Sequence, residues 1–367
     1  MASIKKRGNR WFARYRDDTG REHGQRFDRK VDAQRWLDEQ SAAMITGQYC
    51  DPKAGRVTFR PYAEQWRAAQ VHRPSSAAHV ETMLRRHAYP AFGDRPIGTI
   101  RPSEIQTWVK GSPLAPATVH VLHGVVSAIF RAAVRDRIIP SSPCESTKLP
   151  RKIKRTVVPL SVEAVTALAS AVPPRYRALV TLCAGTGLRQ GEAFGLTMDR
   201  VNFLKRCLTV DRQLISQDDG RPRFGPPKTA ASARTVPLPD VVTEALAEHV
   251  RVFGTGPDDL LFVDDDGLPL LRPRFSRQVW RPAVTAVEAV PHGTGMHDLR
   301  HFYASLLIRH GESIKTVQSR LGHATAAETL DTYSHLWPDA DDTTRTAVDS
   351  ALKINPAADT ARTKSGR

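Results

Sequence analysis

Apolar positions change their period along this chain. Residues 11–17, WFARYRD, alternate like a half-buried strand, DDTG turns the chain, and REHGQRF reads as a second strand before the helical DAQRWLDEQSAAMITG. The pattern predicts a small β-β-α unit over residues 1–55, closed by the turn-rich CDPKAG. From Thr58, a candidate cap, the period turns helical, with Phe59, Tyr62, Ala63 and Trp66 at i, i+3, i+4 and i+7. A longer stripe of Val119, Leu122, Val126, Ile129, Ala133 and Val134 predicts a helix near 117–137. The Pro- and Gly-rich YPAFGDRPIGTI separates the two, so residues 57–147 read as an all-helical domain.

PRKIKRTVVP then sets basic residues between prolines, which suits an extended linker over 148–159. Ser161 is placed to cap VEAVTALASAV, and helices dominate onward except for strand-like CLTVD, RQLISQ and RTVPLP around the turn DDGRPR. The expected fold is mainly α with small β elements, an α+β class, with a third domain over 160–350 and a disordered tail over 355–367.

Length and composition are those of a globular chain: 367 residues, 40% apolar and 25% charged. Net charge of +16 changes the picture, because it makes a polyanion the natural partner. The excess is densest early: residues 1–56 carry 13 Lys and Arg against 8 Asp and Glu, and residues 57–150 carry 12 against 6. DNA or RNA is the first candidate, with Lys5, Lys6, Arg7, Arg14, Arg16, Lys152, Lys154 and Arg155 as candidate contacts. Cys50, Cys144, Cys183 and Cys207 stand far apart, which argues for reduced thiols and against zinc. The basic start lacks the apolar core of a signal peptide, and no run is expected to reach bilayer-spanning length. A cytoplasmic protein without membrane or metal partners is expected.

Several short stretches could carry chemistry. AGTGLRQGEAFGL crowds Gly185, Gly187 and Gly191, but Gln190 stands where a dinucleotide loop needs its third glycine, and a helical stretch precedes it. What remains is Arg189 at a loosened turn, with Glu192 one helical turn on. In MHDLRHFYASLLIRHG, His297 and Arg300 share a side of a helix and could aim at one anion, while Leu299, Phe302, Tyr303, Leu306 and Leu307 form the apolar stripe. PPKTAASARTVPL puts Lys228 in a loop of the strand region. LGHATAAETLDTYSHLW sets Tyr333 between His323 and His335, and the spacing of Leu330, Tyr333 and Trp337 by itself speaks for packing.

Taken together, TGLRQGE, PPKTAASART, HDLRH, LGH and DTYSH occur in an order that resembles the tyrosine recombinases, the lambda-integrase-like site-specific DNA recombinases. The resemblance implies catalytic Arg189, Lys228, His297, Arg300 and His323, Tyr333 as nucleophile, and Glu192 as a supporting group. Ala193 departs from the larger aliphatic usual after the glutamate, which bears on packing. The resemblance also implies an N-terminal arm-type DNA-binding domain and a helical core-binding domain. A 3′-phosphotyrosyl link and a Holliday junction would lie on the path to integrating or excising a phage or mobile element. Implied partners are core- and arm-type attachment sites, a homotetramer on DNA, a host DNA-bending protein and an excision factor.

The chemistry can be argued independently. A phenol of pKa near 10 is about one-thousandth ionised at pH 7, a deficit of roughly 4 kcal/mol, so something must take its proton. His297 titrates in a suitable range, and Arg189 and Arg300 can hold the phosphate oxygens as charge builds. By resemblance Lys228 protonates the departing 5′ oxygen and His323 donates to a phosphate oxygen. His301 and His335 are expected to be neighbours that pack or cap. A phosphotyrosyl ester conserves the bond energy, so no cofactor, ATP or metal is expected. The competing readings are a non-catalytic DNA-binding regulator of the same fold, a type IB topoisomerase-like relaxing enzyme and, furthest off, a metal-dependent DDE transposase.

Overall fold

The computed structural model describes residues 2–17, 20–46, 49–51, 53–152, 156–216, 220–337 and 341–352. The candidate contacts Lys154 and Arg155 and the expected tail over 355–367 lie outside the described residues. The chain forms two compact units, Met1–Lys154 and Arg155–Arg367.

The first unit opens with three antiparallel strands, β1 (Ser3–Arg7), β2 (Arg10–Arg16) and β3 (Glu22–Phe27), backed by helix α1 (Lys30–Ile45). The pattern anticipated two strands; SIKKR was missed because Ile4 is its one apolar residue, so it forms by pairing with β2 rather than by its own alternation. Ala13 and Tyr15 of β2 turn inward onto Ala33 and Leu37 of α1 and onto Tyr49. Five helices follow: α2 (Phe59–Ala68), α3 (Pro74–Met83), α4 (Tyr89–Phe92), α5 (Pro102–Lys110) and α6 (Pro116–Arg135). Their core is Phe59, Leu84, Ile105, Val126, Ile129 and Phe130, each fully buried and worth about 1.5–3 kcal/mol. Thr58 stands at the N-cap of α2, but its side chain makes no capping bond. One expectation needs correcting: α6, at 20 residues, is long and apolar enough to cross a membrane by length and composition. Its stripe is instead spent in this core.

The second unit begins with α7 (Val162–Ala171), where the Ser161 hydroxyl accepts from the Ala164 amide at 3.1 Å as expected of a cap. Then come α8 (Pro174–Thr186), α9 (Gln190–Phe194), β4 (Val201–Asn202), β5 (Cys207–Val210), β6 (Gln213–Ser216), β7 (Pro222–Gly225) and β8 (Arg234–Pro237). β4, β5 and β8 form one antiparallel sheet and β6 and β7 a ribbon. The Pro and Gly that bracket β7 predict a turn; pairing with β6 overrides that composition. Helices α10 (Asp240–Phe253), α11 (Arg272–Phe275), α12 (Arg281–Ala286), α13 (Met296–Arg309), α14 (Ile314–Leu321), α15 (Ala326–Tyr333) and α16 (Asp341–Leu352) complete it. Helix α13 joins two cores: Leu299 and Phe302 pack with Leu179, Leu182 and Leu246, whereas Tyr303 and Ile308 pack with Val317, Leu321 and Tyr333.

Candidate active site

Two left-handed turns build the frame. Helix α8 ends at Gly187 (φ 64°), which turns the chain toward Arg189, the N-cap of α9. A Cβ there would stand 2.5 Å from the Tyr303 ring, so space and backbone both require glycine. Helix α14 ends the same way at Gly322 (φ 64°), whose added Cβ would lie 3.0 Å from the Ala231 carbonyl oxygen, and this turn delivers His323. Arg300, only 1% exposed, ties the turns together: Nη1 donates to the Gly187 carbonyl at 2.7 Å and Nη2 to the Leu321 carbonyl at 2.6 Å. The sequence reading put Arg300 with His297 on a side open to an anion; the buried face of α13 is wider than that reading allowed, because the helix is covered by both α8 and α14. Burial first, then Arg189 and Arg234, push the Arg300 pKa down to about 9, which leaves it charged at neutral pH.

Glu192 is the second keystone. Its Oε1 accepts from Arg189 Nη1 and its Oε2 from Arg234 Nη2, both at 2.9 Å, and the Arg189 amide donates to Oε2 at 3.0 Å. The i,i+3 pair read from sequence is thus one edge of a buried Arg189–Glu192–Arg234 triad. Burial alone would raise the Glu192 pKa, but Arg234 and Arg189 outweigh it and hold it below the ordinary carboxylate value. Arg234, absent from the sequence-derived set, also donates to the Arg320 and Ser232 carbonyls. Its signal was an arginine opening a strand whose side chain had to face the core. Arg189 Nη1 further donates to Ser232 Oγ at 3.1 Å, and Nη2 to the Gly322 carbonyl at 3.2 Å.

Tyr333 ends α15 at 1% exposure, its ring stacked near that of His323 with centroids 6.4 Å apart. Burial pushes its pKa up to about 12 against the pull of Arg300 and Arg189. Ionising it at pH 7 with no acceptor would cost about 7 kcal/mol. Its hydroxyl shares a 2.8 Å hydrogen bond with Nδ1 of His301, not with His297. His297 is one turn back on α13, its ring centroid 4.8 Å from that of His301 and edge-on to it. Desolvation, then His301 and Arg300, push the His297 pKa down to about 4 although the residue keeps an exposed side. The direction is toward neutral imidazole. His323 is likewise pushed down to about 4, by burial and then Arg300, and its Nδ1 pairs with the Thr329 hydroxyl at 2.8 Å. His335 Nε2 bonds the Val157 carbonyl at 2.8 Å, as a packing neighbour would.

The structure brings Arg189, Glu192, His297, Arg300, His323 and Tyr333 together around these turns. Lys228 is different: it stands exposed in the loop between β7 and β8. That loop is fastened at its far end, where Thr229 Oγ1 and Ser232 Oγ are 2.9 Å apart. No group of His, Cys, Asp or Glu able to hold a metal occurs among the described residues. DDDG at 264–267 forms the expected turn, Asp264 taking Arg274 at 2.9 Å. The cysteines are free thiols, and burial raises those of Cys144 and Cys183 to about 12.

In the first unit, register sorts the candidate contacts. Lys5 pairs with Phe12, and Ser3 with Arg14, so Lys5, Arg7, Arg14 and Arg16 share the sheet face away from α1, together with Arg26 of β3. Arg14 also bonds Ser3 and Glu22, and Arg16 approaches Glu22 at 3.8 Å. Lys6 lies on the opposite face, over the Trp11 ring at 5.9 Å. Lys152 is exposed.

Residues 157–339 match the phage integrase family, and residues 59–149 match the phage integrase central domain. The chain is similar to the putative prophage phiRv2 integrase of Mycobacterium tuberculosis, 26% identical over 339 residues that cover 89% of this chain and 88% of that protein. Its fold is similar to that of the Tn1549 transposon integrase in complex with transposon right end DNA, at TM-score 0.69 and 22% identity, covering 81% of this chain and 100% of that one. It is also similar to the lambda integrase tetramer bound to a Holliday junction, at TM-score 0.56 and 18% identity, covering 89% and 96%. Fold and family together define a site-specific DNA recombinase of the tyrosine type. The chain belongs to the phage integrase family.

Proposed function

We propose that Tyr333 is the nucleophile of DNA strand cleavage and that Arg189, His297, Arg300 and His323 surround the scissile phosphate. The observation that carries this reading is the convergence of both arginines, His323 and the Tyr333 ring on the two left-handed turns. Arg189 and Arg300 meet the charge that grows on the non-bridging oxygens, and neutral His297 and His323 each have a ring N–H to donate to them. Glu192 holds Arg189 in place, and Lys228, brought in with the DNA, protonates the departing 5′ oxygen. The product is a 3′-phosphotyrosyl ester that a 5′ hydroxyl of another strand reopens.

On this reading residues 57–147 and 160–350 clasp the core site, and the Lys5, Arg7, Arg14, Arg16 and Arg26 face of residues 1–55 reads an arm site. Lys152, Lys154 and Arg155 add positive charge for the phosphates of the DNA backbone. The reaction integrates or excises a mobile element in the bacterial cytoplasm. Four protomers act on two duplexes, since each brings one tyrosine and recombination breaks four strands; a host DNA-bending protein and an excision factor set direction.

The test is Tyr333→Phe, which removes the attacking oxygen and keeps the ring in its pocket. DNA binding should persist while the covalent protein–DNA adduct disappears on denaturing gels. An adduct formed by the Phe variant would eliminate Tyr333 as nucleophile.

A further inference from the structure

We propose that His301 is a catalytic residue of the cleavage step, its Nδ1 receiving the phenolic proton as Tyr333 Oη attacks the phosphate. The inference rests on the reading of Tyr333 as nucleophile and adds the proton acceptor which that reading lacks.

Geometry selects this histidine. Nδ1 stands 2.8 Å from Oη, within the range a base needs for the proton it takes, and no other hydrogen bond to Oη occurs among the described residues. His297, the histidine expected from the sequence to do this, presents its ring to His301 instead. The two are i and i+4 on α13, so the side of the helix that faces the phosphate in the first turn faces the tyrosine in the second. To accept from Oη, Nδ1 must be unprotonated. The groups facing His301 favour that state: burial comes first, Asp298 opposes it, and Arg300 reinforces it. Of the other titratable neighbours, His297 is also pushed toward the neutral form, Tyr333 is the donor, His323 stacks near that ring paired with Thr329, and His335 is tied to the Val157 carbonyl.

The step balances. The Oη–H proton passes to Nδ1 and makes an imidazolium, the Oη–P bond forms, the P–O5′ bond breaks, and the 5′ oxygen takes a proton from the Lys228 ammonium. Rejoining runs the sequence backwards. The incoming 5′ hydroxyl gives its proton to the Lys228 amine, and the imidazolium returns its proton to the departing tyrosine oxygen. The imidazolium forms beside Arg300, which makes it a good donor for that return.

The experiment uses the full chain and a duplex that the full chain selects from a random-sequence pool. The duplex is nicked beside the cleavage point mapped with the wild type, so that the released fragment diffuses away and the adduct accumulates. His301→Ala should bind this duplex normally and form adduct on the order of a hundred- to ten-thousand-fold more slowly. Its rate should climb with pH where the wild type has levelled off, and added imidazole should restore part of it. His301→Gln keeps a hydrogen-bonding side chain of similar reach but takes no proton, so it should stay slow. Wild-type rates in either variant, or an Ala variant that is slow, blind to imidazole and unchanged in pH profile, would overturn the assignment. Tyr333→Phe run alongside separates the two readings: adduct from it removes the nucleophile, whereas no adduct from it, with a slow His301→Ala variant blind to imidazole and unchanged in pH profile, removes only the base.

Discussion

Arg300 and Lys228, two cations of the proposed catalytic set, live in opposite surroundings. Arg300 is buried with both terminal nitrogens given to main-chain carbonyls, whereas Lys228 is exposed on a loop. The first costs nothing to organise when DNA arrives, because folding has already fixed it; the second must lose side-chain freedom at that moment. A guanidinium suits the first task, since its planar fork can hold two carbonyls and still carry charge. A compact ammonium that gives up a proton suits the second. The frame is therefore built into the fold, and on the proposed reading the proton donor is left to be assembled by substrate.

The sharpest way to break this contrast is to unbuild the frame. Glu192→Ala would leave the half-buried Arg189 and the buried Arg234 side chain as neighbouring cations without their shared buried carboxylate. Removing one partner of such a buried pair costs about 3–5 kcal/mol, so the variant should melt well below the wild type and lose adduct formation with it. Thermal denaturation checks the first outcome, and an unchanged melting curve would show that the triad does not hold the frame. Acid tests it too. The folded pKa of Glu192 lies below its ordinary value of 4.5, so its stabilising contribution is complete above that value and is lost as pH falls through the folded pKa. The Ala variant should lack this acid-sensitive component.

Lys228→Ala should leave the frame and the melting curve alone. Cleavage should slow on the order of a hundred- to ten-thousand-fold because the 5′ oxygen would leave unprotonated. A substrate whose bridging 5′ oxygen is sulfur expels a much less basic group and should rescue this variant, while Tyr333→Phe stays inert. Failure of sulfur to rescue Lys228→Ala, with the wild type cutting that substrate well, would remove the lysine as the acid.

The same division explains what could be read from the residues alone. Helical period exposed α2, α6 and α13, and Ser161 declared the start of α7. β1 and β7 are not visible in the apolar pattern because each is held by pairing with the neighbouring strand rather than by an alternation of its own. At the site, residue types and their order carried Arg189, Glu192, His297, Arg300, His323 and Tyr333. What they could not carry was the pairing of groups far apart in sequence: Arg234 on Glu192, Arg300 on the Gly187 and Leu321 carbonyls, and His301 on Tyr333.

Ser232 offers the smallest and most discriminating cut, because it joins the two regions. Its buried hydroxyl takes a hydrogen bond from Arg189 Nη1 at 3.1 Å and stands 2.9 Å from the hydroxyl of Thr229, the residue after Lys228. Arg189 keeps Glu192 and the Gly322 carbonyl without it, so the arginine should hold its place in Ser232→Ala. The loop carrying Lys228 loses its fastening. One net hydrogen bond is worth about 1 kcal/mol, so cleavage of ordinary DNA should slow about fivefold, with a comparably small change in stability. If the deficit arises in the lysine loop, it should largely vanish on the 5′-sulfur substrate, which hardly needs the proton. A fivefold loss that persists unchanged on sulfur would instead place the effect at Arg189, and the fixed frame would then extend to the serine.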